Sequence, residues 1–147
     1  MTAQAGEKLL YESNEYFIHT EPLYEFLELL RYRQPFQPPS TACWRGYFGS
    51  WEIRDGKLYL IGLKGYIENY VVVGIEHLFP KQKEVFAEWY SGEIRIPLGE
   101  MLKYVHGGYA SIYEEDFYIK FKNGIQIGTR LEKNTYVPKE DDPDLPF

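Results

Sequence analysis

Two dipeptides constrain this chain more than any other feature. Asp55-Gly56 lies between the β-prone runs Cys43–Arg54 and Lys57–Leu63, and Asn123-Gly124 lies between Ala110–Phe121 and Ile125–Leu131. Asp-Gly and Asn-Gly suit a two-residue type I′ turn, in which both central residues take positive φ. The chain should therefore build two antiparallel hairpins. In the second arm of the first, Leu58 and Leu60 face one way, while Tyr59, Ile61 and Leu63 face the other. A strand apolar on both sides belongs in the middle of a sheet. Phe117, Ile119 and Phe121 alternate with Tyr118, Lys120 and Lys122, the pattern of a strand with one wet face.

The aromatic content, 14 Tyr, 9 Phe and 3 Trp, points the same way, because aromatic rings favour half-buried pleated surfaces. Leu9–Glu12 and Tyr16–Thr20 around Ser13-Asn14-Glu15 predict a short hairpin. Gly65–Gly74, Glu84–Trp89 and Glu93–Ile96 read as further strands, and Ile75–Pro80 as one helical turn. One helix is predicted over Pro22–Arg31, capped by Thr20, with Leu23, Phe26, Leu27 and Leu30 forming its core stripe. Arg31–Thr41, with Pro35, Pro38 and Pro39, predicts an extended crossing loop. The resulting fold class is α+β: a mainly antiparallel β-sheet of about seven to nine strands, curled into an open barrel or packed as a sandwich, with one N-terminal helix.

The length, 147 residues, suits one domain over residues 1–137 followed by an acidic, Pro-rich tail over 138–147. That tail, PKEDDPDLPF, carries half of the net charge of −6. The acidic balance argues against a protein built to grip nucleic-acid phosphates. There is no basic patch followed by an apolar run at the N-terminus, and no apolar stretch approaches membrane-spanning length, so a cytoplasmic protein without membrane attachment is expected. The single cysteine, Cys43, excludes an internal disulfide and reads as a small buried residue on a strand. No phosphate loop, dinucleotide fingerprint, nucleophile elbow or zinc-spaced cysteine pair is present, and His19, His77 and His106 are too scattered to suggest a chelate. Neither a metal nor a cofactor is expected.

Three clusters carry the remaining chemistry. Trp44-Arg45-Gly46-Tyr47 combines the residue types that dominate binding hot spots; alternatively, Trp44 fills the core and Arg45 makes an internal ion pair. Val105-His106-Gly107-Gly108-Tyr109 pairs a group that titrates near neutrality with a backbone able to approach a ligand, or is simply a Gly-Gly turn. Glu114-Glu115-Asp116 places Glu114 and Asp116 on one face, where they suit a cation or basic partner, or are solvated edge charges.

From Ser40 to about Gly124 the chain resembles a group of small uncharacterised bacterial proteins. The resemblance rests on Trp44-Arg45-Gly46-Tyr47, Trp51-Glu52-Ile53, Leu78-Phe79-Pro80, the run Val85-Phe86-Ala87-Glu88-Trp89-Tyr90-Ser91-Gly92, Ile94-Arg95-Ile96-Pro97, and Met101-Leu102-Lys103-Tyr104-Val105-His106 with Gly108-Tyr109. It implies a bacterial, single-domain protein and supplies no catalytic residue.

Two functions follow as expectations. The first is a non-enzymatic protein-binding module of the immunity or accessory kind. It would neutralise or regulate a partner, for which a basic, toxin-like protein suits the acidic chain. Trp44, Arg45, Tyr47, Trp89 and Tyr109 would be its anchors if exposed. The second is a small-molecule binder or enzyme with a pocket around His106, Arg45 and Glu114.

Overall fold

The computed structural model describes residues 3–30 and 36–136; the acidic tail and residues 31–35 of the crossing loop lie outside it. β1 (Glu7–Tyr11) and β2 (Asn14–Ile18) form the first hairpin. Its turn residues are Glu12 and Ser13, both at positive φ. The turn thus falls before the predicted Ser13-Asn14-Glu15, because a two-residue turn matches strand twist and frees Asn14 and Glu15 to pair in β2. The helix α1 (Tyr24–Leu29) is shorter than predicted. Leu23 rather than Thr20 holds the cap position, and Thr20 Oγ1 accepts a hydrogen bond from the Arg95 N–H at 2.8 Å instead. The apolar stripe is as expected: Leu23 and Leu27 are buried, and Phe26 and Leu30 pack against the core.

β3 (Tyr47–Arg54) and β4 (Lys57–Ile67) meet at Asp55-Gly56, with φ of 50° and 72°. β3 starts later than predicted because the four residues from Cys43 form a turn, in which the Gly46 N–H donates to the Cys43 carbonyl. Cys43 is buried, in that turn rather than on a strand. The run Gly65–Gly74 is two arms of a hairpin, not one strand: β5 (Val71–Val73) folds back onto β4 through a 3₁₀ turn at Glu68–Tyr70. Ile75–His77 forms the expected helical turn, and only β6 (Val85–Phe86) survives of the predicted Glu84–Trp89 strand. β7 (Gly92–Lys103) runs well past Ile96. β8 (Ile112–Lys122) and β9 (Ile125–Lys133) meet at Asn123-Gly124, with φ of 51° and 77°.

The strands form one mixed, mostly antiparallel sheet in the order β2-β1-β3-β4-β9-β8-β7, with β5 and β6 both on β4. Among the described strands only β1 and β3 pair in parallel. β4 is the hub, as its two apolar faces required. The sheet curls until the end of β2 meets β7, where the His19 N–H donates to the Arg95 carbonyl at 2.9 Å, but the two strands do not pair and the sheet stays open. Leu9, Ile18, Leu58, Leu60, Ile94 and Ile119 fill the inside of the curl. The two hairpin tips meet at a single rung, Lys57 against Ile125.

Candidate functional site

Inside the curl, a carboxylate sits where the strand alternation puts it. Glu7 shares a face with Leu9, so its side chain is carried into the core. There it accepts from Arg45 Nε at 2.8 Å and from Trp51 Nε1 at 2.8 Å. The carboxylate crosses the backbone of β3 at Gly49, where an added Cβ would stand 2.6 Å from Glu7 Oε1 and 2.8 Å from Trp51 Nε1. Burial pushes the Glu7 carboxyl from 4.5 up to about 7, although the Arg45 charge and both hydrogen bonds hold it down. Desolvation works against the Arg45 guanidinium, and the charge of Glu7 and smaller contributions from Tyr109, Cys43 and Glu21 together more than offset it. The guanidinium also lies over the Tyr47 and Phe48 rings, 5.6 and 5.0 Å from their centroids.

A second network closes the curl. Arg95 Nε donates to Asp116 Oδ1 at 2.8 Å, Nη1 to the Tyr109 carbonyl at 2.7 Å and Nη2 to the Ser111 carbonyl at 3.2 Å. Asn134 Nδ2 donates to the other Asp116 oxygen at 2.9 Å. His19 stacks on Tyr109 at 5.0 Å and meets the edge of Tyr113. Burial, with help from the Arg95 charge, lowers the His19 imidazole from 6.5 to about 4, so it is neutral near pH 7.

These two groups oppose each other in pH. Glu7, with a raised folded-state pKa, contributes stability that is present below 4.5 and lost as pH rises through about 7. His19, with a lowered one, contributes stability that is present above 6.5 and lost as pH falls through about 4. Glu7→Gln removes the first and keeps the second. Urea unfolding is expected to show stability climbing with pH more steeply in Glu7→Gln than in the native chain between pH 4.5 and 7. Parallel curves would contradict the buried carboxyl's shift.

The sequence-predicted residues fall in different places. Arg45 and Tyr47 are buried and offer no side chain to a partner; Arg45 makes the internal ion pair that was the alternative for it. Trp44, by contrast, is 52% exposed. Trp89 is part-buried, stacked on Phe79, and donates from Nε1 to the Pro22 carbonyl at 2.8 Å. Tyr109 packs on His19, and burial raises its phenol. His106 is exposed, with its ring against the edge of Tyr104, while Gly107-Gly108 makes a turn whose Gly108 carbonyl accepts from the Gln4 N–H. Glu114 is exposed and accepts from the Glu100 N–H at 3.2 Å, whereas Asp116 is buried on Arg95. The contacts described for His106, Arg45 and Glu114 thus lie in three separate groups.

Among the described residues, no three His, Cys, Asp or Glu side chains converge as metal ligands, and no helix is long and apolar enough to cross a membrane.

Sequence reasoning missed Glu7, Arg95 and β9 as functional or organising elements. Glu7 carried a signal, its shared face with Leu9. Arg95, between core residues Ile94 and Ile96, sits where a solvated side chain is the ordinary expectation. β9 pairs with β4 at Lys57–Ile125 and then leaves it; Ile127 is bulged out of the ladder, and from Gly128 to Lys133 β9 pairs, among the described residues, with β8 alone. Every residue from Ile127 to Lys133 is exposed, including Ile127 at 53% and Leu131 at 51%.

The fold defines the class of this protein: an open, curled, mixed sheet with one short helix. Comparison of the chain with protein-family models, curated proteins and solved structures finds no match, so no residue role enters from a relative.

Proposed function

We propose that this chain is a non-enzymatic protein-binding module of the immunity or accessory kind, which accepts an extended segment of its partner along the free edge of β9. One observation carries the reading: Ile127–Lys133 of β9 is exposed, and among the described residues its last six, Gly128–Lys133, pair with β8 and with no other strand. Proteins blunt such an edge with proline, short length, a covering segment, a bulge or charged side chains; β9 has a bulge at Ile127 and the charges of Arg130, Glu132 and Lys133, but no proline. Here Ile127 and Leu131 present apolar surface on it, and unpaired backbone groups of this kind take up a partner strand. The charged groups favour the same reading. Arg45, Arg95 and Asp116 are committed to internal ion pairs that shape the fold. The net charge of −6 suits a basic partner, whose approach it would accelerate.

The test is capture of a partner from bacterial lysate by the native chain and by the double variant Ile127→Lys, Leu131→Lys. Lysines on an edge oppose strand addition. Both sites are exposed, so stability should stay within about 0.5 kcal/mol of the native value. The variant is expected to lose the partner at moderate salt; undiminished capture would remove β9 from the interface.

A further inference from the structure

The outer face of β2-β1-β3-β4 carries a groove of about 480 Å³ that the β9 edge does not touch. Its construction follows from register. Phe17 stands opposite Lys8, Lys8 opposite Ser50, and Ser50 opposite Gly62, which makes one row across the four strands. Phe48 stands opposite Lys64 in the next outward-facing row, and Gly6, two residues before Lys8, falls in line with it. A Cβ on Gly6 would stand 2.7 Å from the Ile18 carbonyl oxygen, so glycine there lets the chain lie close to β2, and the groove runs between the rings of Phe17 and Phe48. Ser50 and Gly62, both small, leave open the space between Lys8 and Lys64. The two lysines are two strand spacings and one row apart, roughly 12 Å at the backbone, within reach of one anion for side chains of that length.

We propose that this groove binds an aromatic carboxylate, with its ring between Phe17 and Phe48 and its carboxylate over Ser50 between Lys8 and Lys64. Three observations argue for that occupant. Phe17 is 58% exposed, an apolar ring left facing the groove. Two ammoniums line the groove, while the carboxylate of the lining residue Glu7 is turned inward to Arg45 and Trp51: Lys8 reaches the exposed Glu15 at 3.9 Å, and Lys64 lies over the Tyr66 ring at 5.6 Å. Contacts of that kind are weak and yield readily to a carboxylate. The Ser50 hydroxyl lies between them and can donate to the bound oxygen. The volume is within the range of small-molecule sites.

The probe is 2-naphthoate, titrated calorimetrically into the full chain, with 2-naphthamide as the uncharged counterpart. The expected result is saturable one-to-one binding of 2-naphthoate, weakened about tenfold or more in Lys8→Glu and in Lys64→Glu, and similarly in Phe17→Ala. The amide should bind about tenfold more weakly than the acid. All three sites are exposed, and unfolding curves on the variants confirm that the fold is kept. Absence of saturable binding at millimolar 2-naphthoate would overturn the proposal. So would equal affinity for acid and amide, or affinity unchanged in both lysine variants.

Discussion

Arg45→Ala is expected to lower the free energy of unfolding by about 3–5 kcal/mol, the usual consequence of leaving one charge of a buried pair without its partner. Glu7 is buried among Trp51, Gly49 and Leu9, and removal of the guanidinium leaves its carboxyl with the Trp51 N–H alone. Part of the loss is relieved by protonation of Glu7, whose pKa already stands near 7, so the defect should be smaller at pH 5 than at pH 8. Replacing both members, Glu7→Leu with Arg45→Met, should cost far less than Arg45→Ala, because well-packed apolar groups substitute for buried ion pairs with little loss. Chemical denaturation of the three proteins at two pH values measures this. A stable Arg45→Ala chain that loses its partner would instead make Arg45 an interface residue.

The second large effect concerns the two turns from which the fold was read. Gly56→Ala and Gly124→Ala place the same side chain at the same kind of position, φ of 72° and 77°. At Gly56 nothing lies within 4 Å of the new Cβ. Its cost should be the conformational one alone, about 1–2 kcal/mol. At Gly124 the Cβ would stand 2.5 Å from the Ala87 carbonyl oxygen, a backbone atom that cannot turn aside. The Gly124 N–H also donates to the Tyr90 carbonyl at 2.8 Å, and its carbonyl accepts from the Leu58 N–H at 2.9 Å. Overpacking there adds about 1–3 kcal/mol to the conformational cost. Thermal unfolding should therefore rank Gly124→Ala clearly below Gly56→Ala. Equal midpoints would mean that the segment at Ala87 yields and the close approach of Gly124 to it does not constrain the fold.

What the sequence disclosed depended on whether the determining interactions were local. Asp55-Gly56 and Asn123-Gly124 fix their turns through their own backbone preferences, so both hairpins were legible. The apolar stripe of α1 and the two-sided β4 follow from periodicity and were legible too. The cap of α1 was not, because the Thr20 hydroxyl accepts from the backbone N–H of Arg95, 75 residues away in the chain. The start of β1 was read too late for the same kind of reason. Glu7 enters the core only because Arg45 and Trp51 wait there, 38 and 44 residues on. The binding surface was sought among Trp44, Arg45, Tyr47, Trp89 and Tyr109 from residue type. Arg45 and Tyr47 proved to be interior. No local signal distinguishes β9 from any other alternating strand, since its exposed edge arises from β4 turning away after one rung.

The most direct test of β9 as the binding edge is amide hydrogen exchange on the full chain, free and loaded with the partner captured from lysate. In the free protein the amides of Ile127–Lys133 that point away from β8 should exchange rapidly, as unpaired strand groups do. On loading, protection should appear in that segment and leave the outer face of β1 and β3 unchanged. Protection that appears at Trp44 or Phe17 while β9 continues to exchange freely would contradict the account.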